Sequence, residues 1–134
     1  MSNSKLPDAG KKIEPMPSIE KAKRVMEKMQ NLQLKKETVN FLKGLPPMLM
    51  QNGLGQTIAF LKTKAKDNAD YGKILKVFNE LFNKNDLIIY IFKNSTPDDY
   101  LQMQKEAIEY AGWIKKIAIA FCQKEKKKDE PAAS

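Results

Sequence analysis

The property that most constrains the fold of this chain is the recurrence of apolar residues at every third or fourth position. The clearest example is a stripe of six residues: Tyr71, Ile74, Leu75, Phe78, Leu81 and Phe82. An α-helix turns once in about 3.6 residues, so this spacing places all six side chains on one helical face. Only the run from Leu87 to Phe92 has the composition of a strand, and it lacks an alternating partner segment. The pattern therefore predicts an all-α fold.

The same spacing predicts a single-domain bundle of about five to six helices. The predicted helical segments are 18–34, a bent segment that starts at Lys36 and meets Pro46-Pro47, 54–65 after the Asn52-Gly53 turn, 70–84, a short buried helix at 87–92, and 97–121. The last segment follows Thr96 and begins with a proline and two acids, which is a favourable helix start. We therefore expect a long C-terminal helix at the centre of the bundle.

The length of 134 residues suits one domain. Residues 1–17 contain three prolines and no apolar periodicity, so we expect a flexible leader there. Residues 124–134 are charged and then small, which predicts a charged C-terminal tail. The helical bundle domain is expected over 18–123.

The composition excludes most catalytic and metal chemistry. The chain has no histidine and one cysteine, which leaves no Ser-His-Asp or Cys-His pair and no Cys/His zinc site. The longest apolar runs have six residues, whereas a membrane-spanning helix needs about 20. The N-terminus also lacks the apolar region of a secretory signal. We expect a cytoplasmic protein with no enzymatic activity, no cofactor, no metal and no membrane partner.

The basic charge belongs to the predicted bundle as well as to the ends of the chain. The sequence holds 24 Lys and Arg against 16 Asp and Glu, and residues 18–123 keep a net charge of +6. Lys21, Arg24, Lys28 and Lys35 fall within about 60° on a helical wheel, as a row that follows a phosphate backbone would. A solvated helix face has the same pattern, so charge alone leaves both interpretations open.

The predicted C-terminal helix carries more apolar surface than one core needs. Trp113 and Ile117 extend this surface from the edge marked by Tyr110 toward the charged side. Either the helix is buried on two sides by its own bundle, or these residues form a protein-binding surface. Lys115 and Lys116 follow the tryptophan, and an aromatic ring beside paired cations suits a nucleic-acid partner.

Two blocks of sequence resemble the small subunit of type III-B (Cmr-type) CRISPR RNA-guided effector complexes. The first block contains Leu45-Pro46, Gln51-Asn52-Gly53-Leu54, Gln56-Thr57 and Ala59-Phe60-Leu61, and the second contains Tyr100, Glu106-Ala107-Ile108, Trp113-Ile114-Lys115-Lys116 and Ala118. Both blocks occur in the family's order, and the resemblance covers about residues 18–123. The family often has an arginine in the basic pair, where this chain has two lysines.

The resemblance implies a non-catalytic protein that stacks in several copies as a filament, lines the target-RNA channel and stabilises guide–target RNA binding in antiviral defence. The implied partners are copies of itself, the large polymerase-like subunit, the backbone subunits, guide RNA and target RNA. Two sets of basic residues are predicted to contact RNA phosphates. The first set is the basic pair with one further lysine, namely Lys115, Lys116 and Lys62. The second set is the row Lys21, Arg24 and Lys28. The predicted subunit-interface or core residues are Trp113, Ile117 and Tyr110.

Two alternatives stay open at this point. The small subunit of type III-A complexes is also helical and basic. A stand-alone helical adaptor or nucleic-acid-binding protein would use the segments around Asn52-Gly53 as a helix-turn-helix. Residues 57–61 argue against the second alternative, because they are too apolar for a recognition helix that presents polar groups to base edges.

Overall fold

The computed structural model describes residues 18–124, and these form an all-α bundle. Its helices are α1 (Ser18–Met29), α2 (Lys36–Lys43), α3 (Leu45–Lys64), α4 (Ala69–Leu81), α5 (Leu87–Ile89) and α6 (Pro97–Ile117). Wider π-helical turns extend α5 through Tyr90–Asn94 and α6 through Ala118–Cys122. The predicted fold class and the long C-terminal helix are confirmed. The expected leader (1–17) and the tail from residue 125 onward lie outside the described residues.

Helix α6 is the centre of the bundle. It packs against α1, α2 and α3, while α4 closes the other side against α1 and α3. Side chains from every layer are fully buried in one continuous core, among them Leu54, Ile58, Phe78, Ala107 and Ile114. The stripe of α4 that dominates the sequence pattern therefore faces this core, as the periodicity predicts.

Helix α1 is shorter than its predicted range of 18–34, because it ends at Met29. The chain after it pairs with the end of the C-terminal helix: the N–H of Leu34 donates to the carbonyl of Cys122 at 2.8 Å. The N–H of Lys124 donates back to the carbonyl of Leu34 at 2.9 Å. These two hydrogen bonds satisfy the backbone N–H and C=O groups of Leu34, whose side chain is buried. The backbone at Leu34 therefore does not need the hydrogen bonds of a continued helix. Lys35 consequently does not belong to the face of α1.

The proline pair begins a helix instead of bending one. Helix α2 ends at Lys43, Gly44 links it to α3, and Pro46 and Pro47 lie in the first turn of α3. The first N–H groups of a helix have no intrahelical acceptor, so the missing donors of proline cost nothing at this position. The predicted break is therefore present, but it precedes the prolines.

Helix α3 is bent at Gly53. This residue adopts φ 87° and ψ 163°, which lies outside the helical region, and regular helix resumes after it. The turn predicted at Asn52-Gly53 is thus a sharp bend within α3. Two side chains of α6 stabilise it: Gln104 accepts the N–H of Leu54 at 2.6 Å, and Tyr100 accepts the N–H of Gly55 at 2.8 Å.

Two helices begin with a side-chain cap, and the cap at Thr96 agrees with the helix start predicted there. The Thr96 hydroxyl accepts the N–H of Asp99 at 3.1 Å at the start of α6, and Asn68 accepts the N–H of Asp70 at 2.9 Å at the start of α4. Residues 87–92 are helical, as predicted, but they are not buried throughout. Phe92, at the end of this run, is 63% exposed.

Candidate nucleic-acid and subunit interfaces

The first residue of the predicted basic row, Lys21, is not on the surface. Its side chain is 2% exposed, and its ammonium lies 2.8 Å from a carboxylate oxygen of Glu109 on α6. The ring of Tyr110 lies beside the same ammonium, with 5.9 Å between the nitrogen and the ring centroid. A buried ammonium requires such partners, because an unpaired charge is strongly disfavoured away from water. Lys21 therefore ties α1 to α6, and the expected exposed row does not include it.

The second residue of that row, Arg24, caps a neighbouring helix. Its guanidinium donates to the carbonyl of Leu81 at 2.8 Å and approaches the carbonyl of Glu80 at 3.5 Å. These carbonyls end α4, where the last helical acceptors lack partners and a positive charge is favoured. Arg24 and Lys28 line a depression of about 410 Å³ together with the acids Glu80 and Glu106. The basic row is thus interrupted by one structural guanidinium and by two carboxylates.

Trp113 and Ile117 line a groove between α1 and α6 that we call the α1/α6 groove. It has a volume of about 610 Å³. Its apolar wall consists of Ala22, Met26, Trp113, Ile117, Ala120 and Phe121. The indole N–H of Trp113 donates to the hydroxyl of Ser18 at 3.1 Å, and the ammonium of Lys116 lies 5.0 Å from the centroid of its ring. The tryptophan therefore packs on its own bundle while one side of it faces the groove.

Tyr110 and Ile117 are core residues, since both side chains are nearly inaccessible. The ring of Tyr110 meets that of Phe82 edge to face, with 5.6 Å between the centroids. Of the three residues predicted to be at an interface or in the core, two are thus in the core. Trp113 lies at the boundary between core and groove.

Lys62 and Lys115 lie outside the α1/α6 groove. Lys62 is exposed near the end of α3, and Lys115 is half-buried near the end of α6. Within residues 18–124, no hydrogen bond or ion pair holds either ammonium. Both lie in the last turn of a helix, where positive charge is also stabilised by the helix dipole. The structure therefore separates these two lysines from Lys116, which stands at the groove.

Phe92 is the functional candidate that the sequence reasoning missed. It lines a second cleft, of about 520 Å³, together with Asn52, Gly55, Pro97 and Tyr100. The apolar run 87–92 suggests burial of every member, and nothing in its composition distinguishes the last residue from the others. The sequence feature that could have indicated its exposure is its position next to the polar turn before Pro97, close to the end of the short helix.

The comparison with known families follows the bounds of the bundle. The family model of CRISPR-associated protein (Cas_Cmr5) matches residues 18–121. The chain belongs to this family. It is 33% identical over 103 residues to the CRISPR system Cmr subunit Cmr5 of Thermotoga maritima, an alignment that covers 74% of this chain and 79% of the relative. No solved structure matches the chain. The resemblance to type III-B Cmr small subunits, stated from the two motif blocks, is confirmed.

The structure explains why these two blocks occur together in this Cas_Cmr5 protein. The first block contains the bend at Gly53, and the second begins with Tyr100, whose hydroxyl oxygen accepts a hydrogen bond just after that bend. Gln104 uses both ends of its amide, since it accepts from Leu54 and donates to the carbonyl of Leu49 at 2.8 Å. Tyr100 of the second block therefore stabilises the bend that lies within the first block, and Gln104 supports the same bend.

The carboxyl group of Asp70 and the thiol group of Cys122 are buried in this Cas_Cmr5 chain, and each has a structural partner. Asp70, 5% exposed, accepts the N–H of Lys35 at 2.8 Å and the hydroxyl of Thr38 at 2.7 Å. Burial raises the pKa of Asp70, but these hydrogen bonds and the nearby Lys73 outweigh it and hold the pKa below 3.8. Burial raises the pKa of the Cys122 thiol to about 11, so this thiol stays protonated at neutral pH.

Among the described residues, no helix combines the length and the apolar character needed to cross a membrane. Within the same part of the chain, no three acidic or cysteine side chains converge as metal ligands would.

Proposed function

We propose that this chain is a non-catalytic subunit of a type III-B CRISPR ribonucleoprotein. Several copies stack as a filament that lines the target-RNA channel and stabilises the pairing of guide with target RNA in antiviral defence. The observation that carries the proposal is the match of the Cas_Cmr5 family to the whole helical bundle. The name of the Thermotoga relative favours a type III-B complex over a type III-A complex.

The placement of the polar groups supports a scaffolding role. The buried charges, Lys21 and Asp70, pair with groups of the same chain and connect helices. The thiol of Cys122 is buried, and it donates to the carbonyl of Met29 at 3.2 Å. A nucleophile or general base must reach a substrate, and these side chains are buried in contact with groups of their own bundle.

RNA is contacted through its phosphates in this proposal. Lys28, Lys62 and Lys115 are the proposed contacts, because no ion pair or hydrogen bond engages their ammonium groups within residues 18–124. Lys21, Arg24 and Lys116 have partners in the bundle: a carboxylate, two carbonyls and an indole ring. Guide–target pairing reads the sequence, so phosphate contacts suffice for this subunit.

The partners in the proposal are the large polymerase-like subunit, the backbone subunits, copies of this chain, guide RNA and target RNA. The test is affinity purification of the tagged chain from its native host, followed by mass spectrometry and RNA sequencing. We expect guide RNAs together with the large and backbone subunits. Recovery of the type III-A set of subunits, or of unrelated proteins without guide RNA, would contradict the proposal. An untagged strain controls for adhesion to the resin.

A further inference from the structure

The cleft between the bend of α3 and the start of α6 contains an aromatic ring that the bundle leaves accessible. We call it the Phe92 cleft; its volume is about 520 Å³, and Phe92 on its wall is 63% exposed. A Cβ on Gly55 would lie 3.2 Å from Cζ of Phe92, so the absence of a side chain at Gly55 lets the ring come this close to α3. The contact holds the ring in place while more than half of the residue remains open to a ligand.

Two polar side chains that line the Phe92 cleft have no partner in the bundle. Asn52 and Gln56 are exposed on α3, and within residues 18–124 no hydrogen bond engages either side-chain amide. The hydroxyl groups of the lining are already bonded within the chain; they belong to Ser95, Thr96 and Tyr100. A side-chain amide has two donor hydrogens and an acceptor oxygen. The cleft therefore offers unused hydrogen-bonding groups beside an aromatic ring.

The charges around the Phe92 cleft are balanced. Of the described residues that line it, none is charged. Lys93 and Asp98 are exposed next to it and are opposite in sign. Farther along, the carboxylate of Asp99 accepts the hydroxyl of Tyr90, and the ammonium of Lys84 lies 3.8 Å from the centroid of the same ring. A ligand of this cleft is therefore selected by its shape and its hydrogen-bonding groups, and its net charge contributes little.

A nucleobase matches these features better than a protein side chain does. Aromatic side chains bind unpaired bases by stacking, and every base has a π-face. The edge of a base carries the donors and acceptors with which the amides of Asn and Gln pair. An aliphatic side chain of a protein partner would cover Asn52 and Gln56 without pairing them, and buried polar groups without a partner are costly.

We propose that the Phe92 cleft binds one unpaired nucleobase of RNA, which stacks on the ring of Phe92 and pairs its edge with the amides of Asn52 and Gln56. The inference rests on the proposed function, because it takes RNA as the ligand, and it adds a base contact that is separate from the lysines proposed for the phosphates. A base inside a duplex is covered on both faces, so the occupant is a base outside guide–target pairing. Stacking tolerates any base, so guide–target pairing remains the reader of sequence.

The test compares two RNA probes that carry the same phosphates. One is a uridine oligonucleotide of about ten nucleotides, and the other has the same ribose–phosphate backbone without bases. Filter binding of the radiolabelled probes to the purified full-length chain is measured over a salt series. Phe92→Leu removes the aromatic face but keeps an apolar side chain against Gly55, and Gln56→Leu removes one amide. Phe121→Leu and Gln51→Leu are the matched controls, since both residues are exposed and lie outside the Phe92 cleft.

We expect the wild type and both controls to bind the uridine probe more tightly than the abasic probe. Phe92→Leu should weaken binding of the uridine probe about 5- to 150-fold, which corresponds to the loss of one stacked base. Gln56→Leu should weaken it about 2- to 10-fold, as the loss of one hydrogen bond does. Neither variant should change the affinity for the abasic probe or the slope of log affinity against log salt, because every phosphate contact remains.

Equal affinity of the wild type for the two probes would overturn the inference, as would the absence of binding to either probe up to about 1 mM. Normal binding of the uridine probe by a Phe92→Leu variant that no longer joins the effector complex would show that the cleft receives a protein side chain instead. The proposed function is tested separately by co-purification with guide RNA. A chain that co-purifies with guide RNA but does not distinguish the two probes would therefore lose only the base contact.

Discussion

The hydroxyl oxygen of Tyr100 accepts the backbone N–H of Gly55 at 2.8 Å, across the bend that interrupts α3. The bend exists because Gly53 adopts φ 87°, so the amides that follow it have lost the regular acceptors of a continuous helix. The phenol of one helix therefore replaces a backbone carbonyl of another. This relationship connects the two sequence blocks that carry the resemblance to the family, and it can be tested by removing a single oxygen atom.

Tyr100→Phe should lower the free energy of unfolding by about 1–3 kcal/mol, because it leaves the half-buried N–H of Gly55 without its acceptor. Urea denaturation followed by circular dichroism measures the change. Tyr90→Phe is the matched control, since it also removes a phenolic hydroxyl but one that bonds the side chain of Asp99 instead of a backbone amide. Equal, negligible losses for both variants would show that Tyr100 does not support the bend.

Gly53→Ala should destabilise the protein by about 1–3 kcal/mol, since a residue with a side chain is strained at a φ of 87°. The added Cβ would also lie 3.2 Å from the hydroxyl oxygen of Tyr100. Gly112→Ala is a control for which the opposite change in stability is expected. A Cβ there meets nothing within 4 Å inside regular helix, so this variant should gain about 0.5–1 kcal/mol. Thermal or urea unfolding of the two variants should therefore give shifts of opposite sign.

The apolar periodicity predicted the helices well because each stripe is a local property of the chain. Ile74 and Phe78 of α4 are fully buried, as their spacing requires. Lys21 shows the limit of this reasoning. A helical wheel places Lys21 on the polar face of α1, but burial depends on Glu109, which approaches from α6. The wheel of one helix contains no information about the partner helix, so the expected basic row could not be corrected from the sequence.

The candidate interface was predictable only in part for the same reason. The adjacency of Trp113 and Lys116 follows from their spacing on one helix, and the structure places both at the α1/α6 groove. The exposure of Phe92 depends on where the π-helical turn ends and on the contact of its ring with Gly55, which a Cβ on that glycine would meet at 3.2 Å. Such a contact between distant segments has no signature in the composition of a six-residue apolar run.

Acidification should weaken the fold through Asp70. Its pKa in the folded protein is lowered below 3.8, so the unfolded chain binds the proton more readily. The stabilising contribution is thus fully present above about pH 4 and is lost as the pH falls through the folded pKa. Urea midpoints measured from about pH 6 to pH 2.5 should decrease more steeply for the wild type than for Asp70→Asn. Parallel curves would show that this carboxylate does not couple folding to pH.

Trp113→Ala should leave a folded protein that no longer stacks. Truncation of a fully buried aromatic residue costs about 3–5 kcal/mol, and the half-buried indole should cost less, about 1–3 kcal/mol. Trp113→Phe is the control, because it keeps an aromatic wall in the groove while it removes the hydrogen bond to Ser18. Sedimentation velocity should show self-association of the Trp113→Phe variant and no self-association of the Trp113→Ala variant. Unchanged stability together with unchanged association in the Ala variant would contradict both roles of the residue.

The replacement of Lys28, Lys62 and Lys115 by Ala should weaken target-RNA binding by the reconstituted effector complex in a salt-dependent way. Each phosphate contact on a single strand contributes about 0.7 to the slope of log affinity against log salt, so the triple variant should lose roughly 2 in the magnitude of that slope. Lys36→Ala, Lys43→Ala and Lys93→Ala together remove the same charge at other exposed positions and serve as the control. Two unrelated guide and target pairs should show the same loss, because phosphates carry no sequence information. An equal change in the control variant would indicate a general effect of net charge, and a loss confined to one pair would exclude phosphate contacts as the basis of binding.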